Sequence, residues 1–76
     1  MKEKSYAVVL VYTTNYALRA EKVLAEQKIP SKLIPVPRHL SSDCGVCVRI
    51  NQEDMERARE AFVENEVVFE DFYPLG

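Results

Sequence analysis

The chain has 76 residues, 47% of them apolar and 29% charged, a balance typical of a small globular domain. Ten basic residues against twelve acidic ones leave a net charge of −2, so the cationic footprint of a nucleic-acid binder is missing. A chain of this length reads as one domain, residues 1–76, with too thin a core for a deep substrate cavity inside one subunit.

After Met1–Ser5 comes an apolar run from Tyr6 to Tyr12. It is far too short to cross a membrane. No small-residue cleavage site follows it closely, so it reads as a strand rather than a secretion signal, and the chain as cytoplasmic. The run is continuous and rich in β-branched residues, as expected of a central strand buried on both faces. Thr13, Thr14 and Asn15 are cap candidates for a helix. Its apolar stripe is Ala17, Ala20 and Leu24, flanked by Tyr16 and Val23, with Glu21, Lys22, Glu26 and Lys28 on the other side. Pro30 is expected to end this helix.

Lys32 to Val36 reads as a short strand, placed at a sheet edge by Pro35. Pro37 to Gly45 is a loop. Val46, Val48 and Ile50 alternate with Cys47 and Arg49, the pattern of a half-buried strand whose Cys47 and Arg49 point away from the helices. Asn51 is the expected N-cap of a second helix with the stripe Met55, Ala58 and Phe62. Val67 to Tyr73 reads as the last strand, stopped by Pro74. The order β-α-β-β-α-β predicts an α+β, ferredoxin-like fold, an antiparallel sheet with two helices on one face. The other face is then solvated, lined by a ligand or covered by a second copy.

Reactive side chains crowd only between Pro35 and Arg49. Cysteine reacts as the thiolate, which nearby cations favour, and Arg38, His39 and Arg49 are the candidates around Cys44, with Asp43 opposing them. Gly45 permits a positive φ or close approach by a partner. N–H groups of the Ser41–Gly45 turn are available to an anion. Cys47, within a strand, reads first as a small buried hydrophobe and second as a resolving thiol for Cys44. The Cys44–Cys47 spacing matches redox CxxC motifs, but those open a helix and this pair opens a strand. Two cysteines and His39 fall short of a closed four-ligand metal site unless two chains share one. With Gly45 and Gly76 the only glycines, there is no phosphate-binding glycine loop. Glu53, Asp54, Glu56, Glu60 and Glu64 read as the solvated side of a helix.

Two stretches resemble the selenium/sulfur (Se/S) carrier-like family of short bacterial and archaeal proteins. The first is Thr13-Thr14-Asn15-Tyr16-Ala17-Leu18-Arg19-Ala20-Glu21-Lys22-Val23-Leu24. The second is Ile34-Pro35-Val36-Pro37-Arg38-His39-Leu40-Ser41-Ser42-Asp43-Cys44-Gly45, similar to the family's Pro-x-Pro-Arg, Ser and Cys-Gly signature. The resemblance covers most of the chain. It implies that Cys44 is the carrier thiol, accompanied by Arg38, Ser41 and Gly45.

The expected function is therefore a thiol-based carrier that accepts sulfane sulfur or selenium on Cys44 and relays it between donor and acceptor proteins. Such a protein need not be an enzyme, since the transfer is stoichiometric, and no cofactor, resident metal, nucleic-acid or membrane partner is expected. The alternative is a non-catalytic interaction or assembly module, docking or forming a homodimer through the open sheet face, with Arg49 on that face.

Overall fold

The computed structural model describes residues 5–40 and 45–75. The elements are β1 (Tyr6–Leu10), α1 (Thr14–Glu26), β2 (Ser31–Pro35), β3 (Val46–Asn51), α2 (Met55–Glu64) and β4 (Asp71–Pro74), with a short 3₁₀ turn, Gln52–Asp54, leading into α2. The strands form one antiparallel sheet in the order β2-β3-β1-β4. This is the ferredoxin-like arrangement that the element order predicts.

β1 is central, and its sequence suits the place. Ala7, Val9 and Val11 face the helices, Val8 and Leu10 face the other way, and all five are buried. On the helix side they meet Ala17, Ala20, Val23 and Leu24 of α1 and Ala58, Ala61 and Phe62 of α2. Small residues on both helices let their axes lie close to the sheet. Phe62 anchors an aromatic cluster, with ring centroids 5.4 Å from Phe69 and 5.9 Å from Phe72. Tyr16 packs against the rim of this core, as its flanking place in the stripe suggests.

Thr13 caps α1, its hydroxyl accepting from the Tyr16 N–H at 3.4 Å. The helix ends at Glu26, before the stop expected at Pro30. Lys28 takes a left-handed conformation (φ 60°), its N–H donates to Ala25 O, and the Ile29 N–H reaches back to Leu24 O at 2.9 Å. These are the two bonds of a Schellman stop, locked by burial of Ile29 beside Leu24. α2 ends in the same way, with Glu66 at φ 55°, its N–H on Val63 O, and the Val67 N–H on Phe62 O at 2.8 Å. Each helix also receives an arginine from the other at its last carbonyls. Arg19 donates to Asn65 O at 2.8 Å, and Arg57 to Gln27 O at 3.3 Å.

Three local expectations are corrected. Asn51 ends β3 and does not cap α2; its amide donates instead to the Asp54 carboxylate, which Arg57 also engages at 3.4 Å. β4 begins at Asp71 rather than Val67, because Val67 is spent on the α2 stop and Phe69 on the aromatic cluster. Pro74 belongs to β4 rather than ending it, which an edge strand bonded only to β1 permits. β2 lies at the opposite edge, with Pro35 paired to Val46.

The outer face, turned away from the helices, is covered in part by the chain itself. Val8, Leu10 and Cys47 form a second buried cluster there, beneath Ile34, Val36, Leu40 and Leu75. That was not among the three coverings expected from the sequence. The loop after β2 and the end of the chain after β4 fold back over the middle of the sheet.

Left-handed Lys28 and Glu66 carry a backbone penalty that glycine escapes. Lys28→Gly and Glu66→Gly are each expected to raise stability by about 0.5–1 kcal/mol. Urea unfolding should show a higher midpoint at unchanged slope. A lower midpoint in both variants would contradict the assigned helix stops.

Candidate functional site

The β2–β3 connection is tied at its base. The Val36 N–H donates to Gly45 O at 3.2 Å, so the two ends of the loop stay paired beyond the last ladder residues Pro35 and Val46. Between these ends a turn closes through the Leu40 N–H on Pro37 O at 3.0 Å. It displays Arg38 and His39 to solvent as its two middle residues. Val36 and Leu40 are partly buried against the outer-face cluster of Val8, Leu10 and Cys47. The Pro-x-Pro-Arg run thus has a mechanical sense: two prolines stiffen the exit from β2, the residue between them seats on the sheet, and Arg38 stays outside.

Gly45 adopts φ 55° and is exposed, with nothing within 4 Å of the place where a Cβ would stand. Its freedom is needed for the backbone turn rather than for clearance. Arg38 has no carboxylate partner among the described residues. Cys44 and Ser41, the other two residues of the expected site, lie outside the described residues.

Cys47 is fully buried on the outer face, in register with Leu10 on one side and Ile34 on the other. Its Sγ lies 3.9 Å from Pro35 O. This is the environment of a packed small side chain.

Arg49 shares the face of Cys47 but works at the other end of the sheet. Its guanidinium carbon lies 4.2 Å from the centre of the Tyr6 ring. Tyr6 begins β1, whereas the β2–β3 loop leaves beside Leu10 at its end. Along β3, Arg49 stands four residues from Gly45, about 13 Å in an extended strand. The structure therefore brings Arg38 and Gly45 together at the loop and keeps Arg49 apart from them. Three cover residues, Val36, Leu40 and Leu75, escaped the sequence reading, as did the Tyr6–Arg49 pairing. Only the register of the hairpin, which sets Lys32 opposite Arg49, could have hinted at a second cationic locus.

Among the described residues no cluster of three or more potential metal ligands occurs, and no helix is long and apolar enough to cross a membrane.

The packing of Cys47 has a measurable consequence. Cys47→Ala is expected to cost about 1–2 kcal/mol in urea unfolding, from lost contacts and the small void left behind. In the folded wild type, alkylation at Cys47 should be undetectable until denaturant is added. Rapid native labelling of Cys47 would refute its placement.

Neither a curated protein nor a solved structure matches the chain. The family described as "Putative Se/S carrier protein-like" matches residues 6–74, from the first residue of β1 to the last of β4. The signature loop and the scaffold that mounts it both fall within that match, and the chain belongs to this family.

Proposed function

We propose that the protein is a stoichiometric thiol carrier in the cytoplasm, with Cys44 as the group that bears sulfane sulfur or selenium. The observation that carries this reading is the mounting of the β2–β3 loop. It is pinned to the sheet by Val36 and Leu40 and tied at its base, yet it leaves Arg38, His39 and Gly45 exposed. A carrier needs this combination. Its reactive group must be presented to two different macromolecules in turn, without being folded into either. Family membership over residues 6–74 supports the same reading.

The chemistry is thiol–persulfide exchange. The Cys44 thiolate attacks the outer sulfur of a donor persulfide, the donor's S–S bond breaks, and its thiolate leaves as Cys44–S–SH forms. The reverse attack by an acceptor thiolate returns Cys44 to its starting state, so no external oxidant or reductant is consumed. Arg38, exposed in the Pro37–Leu40 turn, serves as the cation that favours the thiolate and the persulfide anion. Exposed Gly45 gives the partner's backbone close access.

A second reading, a docking module that acts without Cys44, draws on the part of the outer face that the chain leaves uncovered, where Lys32 and Tyr73 are exposed. A homodimer across this region is one form of it.

Incubation with a cysteine desulfurase and cysteine, followed by intact mass measurement, separates the two. The carrier reading predicts an adduct of about 32 Da that persists in Cys47→Ala and vanishes in Cys44→Ser. No adduct on the wild type, together with host function intact in Cys44→Ser and lost in Tyr73→Glu, would favour the docking module.

A further inference from the structure

Lys32 and Arg49 stand directly opposite each other across the β2–β3 ladder, on the outer face of the sheet. Side chains at such positions have Cβ atoms about 5 Å apart, and like charges there are destabilising. Neutralisation from within the described chain does not occur. Among the described residues, no carboxylate comes within 4.0 Å of either cation.

The arginine is also held in place. Its guanidinium carbon lies 4.2 Å from the centre of the Tyr6 ring, a cation–π contact that restrains the fork. Both cations line a recess of about 280 Å³, and Ser31 and Asn51 bring neutral polar groups to its wall. Asp54, which accepts from the Asn51 amide at 3.5 Å, is itself engaged by Arg57. A pair of cations set opposite each other, one of them over an aromatic ring, and both lining a recess of mixed polar and apolar character, has the makings of an anion clamp.

We infer that this recess binds a small ligand carrying a doubly charged oxyanion, of which a phosphate group is the type. Arg49 supplies a planar two-point contact and Lys32 a mobile point charge, the division of labour these residues adopt on phosphates. The volume lies near the lower bound for small-molecule sites, which fits a compact charged group and little more of the ligand. The recess lies at the Tyr6 end of the sheet, whereas Val36 and Gly45, the paired ends of the β2–β3 loop, lie at the Leu10 end.

The test is a titration of the whole chain with inorganic phosphate, followed by amide shifts, with sodium chloride at matched ionic strength as reference and acetate as the singly charged comparison. Saturable shifts are expected at Lys32, Arg49 and Asn51. Binding should weaken at least tenfold in Lys32→Met and Arg49→Met, and acetate should bind more weakly than phosphate. Phosphate should raise the thermal midpoint of the wild type and leave that of Lys32→Met unmoved. Without phosphate at low salt, Lys32→Met should melt higher than the wild type, because the repulsion is gone. Should Arg49→Met fail to fold, Arg49→Lys keeps the charge without the fork and is expected to bind phosphate severalfold more weakly. Linear shifts that chloride reproduces, or saturable shifts unchanged in the variants, overturn the clamp. Sulfur loading of Cys44 is expected to be normal in Lys32→Met, so failure here and failure of the carrier reading can be told apart.

Discussion

The structure depends on one constraint: its central strand is buried on both faces, while its helices can cover only one. Two helices supply Ala17, Ala20, Leu24, Ala58, Ala61 and Phe62 to the first face. Nothing regular remains for the second, where Val8 and Leu10 would otherwise meet water. Full burial of such side chains contributes about 1.5–3 kcal/mol each, a large part of the net stability of so small a domain. The cover therefore comes from Val36 and Leu40 in the β2–β3 loop and from Leu75 after β4. A segment that would elsewhere be a simple connection becomes part of the core.

This has a consequence for function. The described part of the loop keeps Val36 and Leu40 on the sheet, so the side chains on its exposed side are displayed from a packed base. Arg38, His39 and Gly45 occupy that side. The same segment thus stabilises the fold with one set of side chains and presents chemistry with the other, with the paired ends Val36 and Gly45 as its collar. Cys47 belongs to the stabilising set, although its spacing from Cys44 invites a redox interpretation. The cationic pair Lys32 and Arg49 lies at the far end of the face, beyond the cover, where the sheet is accessible.

Much of the fold was legible from pattern alone. The valine-rich run announced a central strand, the spacing of Ala17, Ala20 and Leu24 a helix, and the alternation of Val46, Val48 and Ile50 a strand with Cys47 and Arg49 on its outer side. The end of α1 lies before Pro30 because its stop uses a non-glycine residue, Lys28, in a left-handed conformation that leaves no mark in the sequence. Val67 and Phe69 looked like strand residues because their apolar character serves a helix stop and an aromatic cluster instead. The second cover was illegible for a deeper reason. It joins Val36 and Leu40 to Leu75, residues far apart in the chain that meet only once the sheet has formed. Arg49 was grouped with the thiol loop by its nearness in sequence, whereas its partner, Tyr6, lies at the other end of the chain.

The central claim is that Cys44 bears a transferable sulfur, and the lability of that sulfur tests it most directly. Protein loaded with sulfur and freed of donor is treated with cyanide, which removes the outer sulfur of a persulfide as thiocyanate and restores the thiolate. The account predicts about one thiocyanate per loaded chain, with Cys44 returned to an alkylatable thiol and none released from Cys44→Ser. Equal thiocyanate from Cys44→Ser, or none from the wild type, would contradict it.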